Sequence, residues 1–251
     1  MTLADVYEYH PIFSSHGLFV TGTDTGVGKT YVSTLLVREF LRQGIPVYGL
    51  KPLISGFQRE GEKMERDDCE LLKEATLSGA TADYLTPKLL HYAGGPLEAY
   101  AAPLAPVSAA RREGRKLDWP RLREETRLLV EECRFNSIVP VLEGAGGALV
   151  PLGNKVYMTD MIQSLSLSTV VVCRTALGTI NHTLATLEVL ESRGIPVSAV
   201  VASRNGFTGA LEDVERSSLE ELAEQMTGDW GFYLVETGGT ELKDVRKLLG
   251  N

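Results

Sequence analysis

Apolar residues fall into two rhythms along this chain. Short β-prone runs at 18–21, 47–50, 138–142, 169–173, 197–202 and 232–235 end in glycine, proline or polar turns, as buried strands do. Between several of them the apolar positions recur at helical spacing. In 29–43, Val32, Leu35, Leu36 and Phe40 share one face, and Gly44 stands where a helix C-terminus favours glycine. Further helices are predicted at 68–75, at 120–133 with Pro120 in the first turn, and around 181–192 and 211–226. This strand–helix–strand order predicts a single α/β domain over residues 1–251, of which 1–16 form a short N-terminal extension. The expected architecture is a mostly parallel central sheet with helices on both faces. Pro140 sits awkwardly inside a predicted strand and implies an edge position or a start nearer Val141. Residues 91–106 are rich in Ala, Gly and Pro and read as loop.

Composition narrows the class. Of 251 residues, 43% are hydrophobic and 23% charged, enough apolar material for a sizeable core at the charge density of ordinary globular chains. A formal net charge of −8 argues against a nucleic-acid partner. No apolar run approaches the ~20 residues of a membrane helix. The first residues lack the basic and apolar regions of a secretory signal. Cys69, Cys133 and Cys173 form no CxxC pair. A cytoplasmic protein acting on small molecules, with neither membrane nor nucleic-acid partner, is the expectation.

The densest chemistry lies in Gly22-Thr23-Asp24-Thr25-Gly26-Val27-Gly28-Lys29-Thr30, between a predicted strand and a predicted helix. Glycines there let backbone N–H groups converge on phosphate oxygens, and a helix N-terminus adds partial positive charge. Lys29 would neutralise the β/γ phosphates and Thr30 would offer its hydroxyl to Mg²⁺. The spacing is a variant of GxxxxGK[ST], because Gly22 lies one residue early. Nucleotide-switch ATPases of the ParA/MinD type share such a loop but carry a signature lysine five residues before the loop lysine. Here that position is Asp24, which counts against this alternative. Another carboxylate-activating P-loop ligase is the alternative within the same fold.

Four blocks in order extend the motif: Phe19-Val20-Thr21-Gly22-Thr23-Asp24-Thr25 running into the loop, Lys51-Pro52-Leu53-Ile54-Ser55-Gly56 followed by Asp67-Asp68, Glu143-Gly144-Ala145-Gly146-Gly147, and Leu177-Gly178-Thr179-Ile180-Asn181-His182. Together they resemble the dethiobiotin synthases, from about residue 18 to 205. The resemblance implies ATP-dependent closure of a ureido ring from 7,8-diaminopelargonate and CO₂, through a carbamate and a carbamic-phosphoric anhydride. It implies ATP as co-substrate, Mg²⁺, and a homodimer with the diamine site at the subunit interface. Lys29 and Lys51 would be catalytic, because carbamate and γ-phosphate are both anionic and need cations between them. Thr30, Asp68 and Glu143 would hold the metal, with Asp67 the alternative to Asp68. Thr25, Gly26, Val27, Gly28, Lys29, Thr30 and Tyr31 would bind nucleotide, together with Asp68, Glu143, Gly144, Ala145, Gly146 and Asn205. Ser55, Gly178, Thr179 and Asn181 would contact substrate; Asn181 also reads as a helix N-cap. Each block is expected just after a strand, on one edge of the sheet, as the crevice rule for α/β sheets requires.

Overall fold

The computed structural model describes residues 17–56, 68–78, 82–204, 211–226, 228, 230–236, 238–240 and 243–244. In chain order the elements are β1 (Leu18–Gly22), α1 (Lys29–Arg42), β2 (Val47–Leu50), β3 (Leu53–Ser55), α2 (Asp68–Leu77), α3 (Pro87–Tyr92), β4 (Glu98–Tyr100) and α4 (Pro106–Arg112). There follow α5 (Trp119–Phe135), β5 (Val139–Gly147), β6 (Pro151–Gly153), β7 (Val156–Tyr157), α6 (Met158–Leu165), β8 (Ser168–Arg174), α7 (Thr179–Ser192), β9 (Val197–Arg204), α8 (Asp213–Gln225), β10 (Gly231–Glu236) and β11 (Lys243–Asp244). The main sheet has the order β11-β10-β9-β8-β1-β5-β2. Every pairing in it is parallel except β10 with β11.

Alternation along the strands divides the core in two. Leu18, Val20, Val141, Val170 and Val172 face α1 and α2, where they meet Val32, Leu36, Phe40 and Leu72. Phe19, Leu142, Val171, Cys173 and Val200 face the other way, against Leu122 and Leu129 of α5, Met161 of α6, Leu187 of α7 and Leu219 of α8. Each fully buried aliphatic side chain contributes roughly 2 kcal/mol, and strands covered on both faces read as unbroken apolar runs. Helices therefore lie on both faces, as the sequence predicts. Among the described residues no helix is long and apolar enough to cross a membrane.

Three expectations are corrected. Pro140 is interior, since β5 lies between β1 and β2. The Val139 amide donates to the Pro46 carbonyl on the β2 side at 2.8 Å, so alternation turns the Pro140 nitrogen toward β1. It does so at the level of Gly17, one residue before the β1–β5 ladder opens at Leu18 and Val141. No ladder bond is missing because none has begun. Residues 91–106 are not all loop: they include the end of α3 and the strand β4, which pairs with β3. Nor is Asn181 an N-cap: α7 begins at Thr179 behind Gly178, whose φ of 91° favours glycine.

The free edge of β2 is closed by side chains and by one loop. The Tyr84 hydroxyl accepts from the Val47 amide at 3.1 Å and donates to the Val47 carbonyl at 3.0 Å. The Gly49 amide donates to Thr76 Oγ1 at 3.1 Å. Gly94 accepts from the Lys51 amide and donates to the Gly49 carbonyl, each at 3.0 Å.

Gly17 tests the Pro140 arrangement. Its φ is 89°, and an added Cβ would run into the Pro140 ring and carbonyl. Gly17→Ala should lower the unfolding free energy by about 1–3 kcal/mol, measured by urea titration. A midpoint equal to that of the parent would contradict the packing.

Candidate active site

The loop between β1 and α1 is shaped by two left-handed glycines, Gly26 at φ 71° and Gly28 at 95°. Gly28 is the N-cap of α1 and makes no side-chain cap, so the first amides of the helix point into the loop without a side-chain acceptor from that position. Gly22 is needed for packing: an added Cβ would lie 2.8 Å from Val27 Cγ2 and 3.2 Å from Lys29 Cδ. The Thr23 amide donates to the Val172 carbonyl at 2.9 Å, which ties the loop to β8. Lys29 folds back and donates to the Asp24 carbonyl at 2.8 Å.

A charge cluster sits beside the loop. Glu143, in β5, has no solvent exposure. Its Oε1 accepts from Thr30 Oγ1 at 2.8 Å and from Lys51 Nζ at 2.8 Å. Lys51, at the end of β2, also pairs with Asp68 in the first turn of α2. Burial opposes the charge on Lys51, but the Glu143 and Asp68 carboxylates outweigh it and hold the ammonium above the ordinary lysine range. Burial likewise opposes ionisation of Asp68, and Lys51 with Thr30 overcomes it, so the carboxyl lies below its usual range. Lys29 behaves differently. Burial pushes its ammonium down to about 8, opposed by Glu143 and reinforced by the like charge of Lys51. One buried cation is thus locked on and the other poised near neutrality.

Glu143 Oε2 is buried and accepts no hydrogen bond from a described residue. Among the described residues no three His, Cys, Asp or Glu side chains gather as a cage. Two carboxylates and a hydroxyl beside a phosphate loop instead match what Mg²⁺ needs when phosphates and water complete its shell. A cavity of about 620 Å³ opens over this cluster, walled on one side by the loop and on the other by residues 103–106.

A family model described as an AAA domain matches residues 16–224. The ATP-dependent dethiobiotin synthetase BioD of Anaeromyxobacter dehalogenans (strain 2CP-C) is 44% identical over 76% of this chain and 77% of its own. The chain belongs to the dethiobiotin synthetase family. The synthetases of the same name from Bacillus subtilis (strain 168) and Methanocaldococcus jannaschii are 33% and 36% identical, over 84% and 73% of this chain and 83% and 78% of theirs. The cell division protein FtsY of Thermotoga maritima shares the fold, with a TM-score of 0.50 at 13% identity, covering 94% of this chain and 69% of that one.

Against the dethiobiotin synthetase pattern, Thr25, Gly26, Gly28, Lys29, Thr30, Tyr31, Lys51, Ser55, Asp68, Glu143, Ala145 and Gly146 all line the cavity. Val27 and Gly144 do not. Val27 is a core residue packed with α1, and Gly144 makes room for the Phe19 ring, 2.9 Å from where its Cβ would stand. Glu143–Gly147 is not a turn after a strand, because β5 runs on to Gly147; residues with little side chain let the strand continue beside Gly22. Gly178, Thr179 and Asn181 do not reach the cavity. Asn181 is exposed, and Thr179 Oγ1 donates to the Arg174 carbonyl at 2.6 Å. His182 lines a second hollow of about 420 Å³ between residues 147–151 and α7. Asp67 and Asn205 lie outside the described residues. The wall at 103–106 was not legible as part of a site. Its signal is its position after β4, held where Gly56 donates to the Ala102 carbonyl at 3.0 Å.

The Lys29 ammonium is present below about pH 8 and lost above it. Affinity of the free protein for ATP should therefore be full on the acid side of that value and fall as the pH rises through it. Calorimetric titrations from pH 6.5 to 9.5 test this, and Lys29→Arg, charged throughout, should remove the inflection. A flat profile in the parent protein would contradict the assignment.

Proposed function

We propose that this chain closes the ureido ring of dethiobiotin from 7,8-diaminopelargonate, CO₂ and ATP, releasing ADP and phosphate. The observation that carries the reading is the convergence of Lys29, Thr30, Lys51, Asp68 and Glu143 on one cavity in a chain of this family. One amine of the diamine takes up CO₂ as a carbamate. The carbamate oxygen attacks the γ-phosphorus and ADP leaves. The second amine then attacks the carbamic-phosphoric anhydride and expels phosphate.

Each residue has a task in that sequence. Lys29 leaves the Asp24 carbonyl for the β/γ phosphates. Lys51, kept charged by its carboxylates, faces the negative charge that builds between carbamate and phosphoryl group. Ser55, at the end of β3, offers a hydroxyl to the carbamate. Thr30, Asp68 and Glu143 would hold Mg²⁺, whose contribution is to neutralise phosphate charge. The apolar wall at 103–106 suits the methylene chain of the substrate.

We further read the enzyme as a cytoplasmic homodimer without membrane or nucleic-acid partner. In support, its three cysteines are free and buried. The second hollow is flanked by Leu149, 49% exposed, and Leu177 stands 87% exposed just before α7. In this reading Gly178 and Asn181 meet the diamine from across the interface, which accounts for their distance from the cavity of their own subunit; Thr179, 1% exposed and bonded to the Arg174 carbonyl, supports the turn from beneath instead of touching the diamine.

Incubation with the diamine, bicarbonate, Mg²⁺ and ATP, followed by mass spectrometry, should show dethiobiotin; ATP hydrolysis without that product would overturn the reading. Lys51→Gln should lower turnover ~10²–10³-fold, the size of a major electrostatic contact, while ATP affinity changes far less. Lys29→Ala should lose both. Sedimentation should give a dimer at assay concentration, and a fully active monomer would refute the shared site.

A further inference from the structure

Arg204, at the end of β9, is 2% exposed, an unusual place for a guanidinium. Glu215 in the first turn of α8 receives it in two bonds: Nε to Oε1 at 3.0 Å and a terminal nitrogen to Oε2 at 2.7 Å. The same Oε1 accepts from Thr175 Oγ1 at 2.6 Å. Burial opposes the charge on Glu215, and Arg204 with Thr175 more than restores it, so the carboxyl lies below the glutamate range. Apolar residues of equal volume often stabilise such a place as well as an ion pair does, so stability alone does not account for this network.

What distinguishes it is where its two arms lead. One residue before Arg204 stands Ser203, whose Oγ lies 2.5 Å from where a Cβ on Gly28 would be. One residue before Thr175 stands Arg174, whose guanidinium bonds Asp24 at 2.9 Å. The other Asp24 carboxylate oxygen accepts from the Thr25 amide at 2.7 Å. The arms therefore touch the phosphate loop at its two ends, from the β8–β9 side, while Glu143 and Lys51 meet it from the β5–β2 side. Apolar packing would fix a volume there; a two-pronged ion pair with a third hydrogen bond fixes positions.

We propose that Glu215 is a brace for the phosphate loop, and that Thr175, Arg174 and Arg204 are positioning residues which set its shape for nucleotide without taking part in the chemistry. The inference rests on the nucleotide reading of the loop. It separates two functions by side of the sheet: the β8–β9 side governs how tightly ATP binds, and the β5–β2 side governs how fast it reacts.

The test uses the intact protein, with ATP affinity measured by calorimetry and steady-state constants measured alongside. Thr175→Val and Arg174→Gln should each raise the Kd and KM for ATP about fivefold, the effect of one ordinary hydrogen bond. kcat at saturating ATP and KM for the diamine should stay within about twofold. Thr175→Ser, which keeps the hydroxyl, should restore the parent affinity. The double variant should be no worse than the weaker single one, because both substitutions cut the same arm. Arg174 is 40% exposed, so its variant keeps the fold even if Thr175→Val does not. Unchanged ATP affinity in both variants, a loss confined to kcat, or additive losses in the double variant would overturn the brace. A parent protein that does not bind ATP at all would overturn the nucleotide reading with it.

Discussion

Glu143 is a carboxylate with no solvent, in the middle strand of three at the active edge of a parallel sheet. Removing the partner of such a group costs about 3–5 kcal/mol. Lys51 at 2.8 Å and Thr30 at 2.8 Å meet that requirement, and each arrives from a different element. The end of β2, the start of α1 and the first turn of α2 are brought to one point by this charge. The cluster is therefore both structural cement and reactive site, and the two roles conflict. Groups that neutralise one another in the resting protein must be free to address substrate in the working one.

Much of the frame was legible because it rests on local rules. The strands around Val20, Val141 and Val171 and the helix carrying Leu36 and Phe40 follow from periodicity. The phosphate loop follows from where Gly26, Gly28 and Lys29 stand between strand and helix. Elements 151–165 were not assigned, since β6 and β7 are three and two residues long and carry little pattern. Pro140 misled because a proline's cost depends on which neighbour its nitrogen faces, a matter of register. At Gly144 and Val27 the motif does a second job that spacing does not announce: their side-chain positions serve packing beneath the site. The Arg204–Glu215–Thr175 network joins residues up to 40 positions apart, and no spacing rule points to it.

Around the phosphate loop the sheet divides its labour. On the β5–β2 side charges are dense and mutually compensating. On the β8–β9 side the contacts fix the shape of the loop: Ser203 against Gly28, Thr23 on the Val172 carbonyl, and the Asp24–Arg174 ion pair. A loop held on both flanks carries little conformational freedom to be lost when phosphate arrives. That matters for a loop with three glycines between positions 22 and 28, whose backbone has much freedom to lose.

The outer face of β2 bears on how copies of this chain can meet. Its outward amides at 47, 49 and 51 and carbonyls at 47 and 49 are already engaged by Tyr84, Thr76 and Gly94. An unpaired strand edge is a template on which a second polypeptide adds by backbone bonding, and it is a common starting point for aggregation. Here the template has been filled by two side chains and one glycine. A continuous sheet running from one molecule into the next is closed off at this end. Contacts between copies on this side are left to side-chain surfaces, whose shape and polarity are open to tuning one residue at a time.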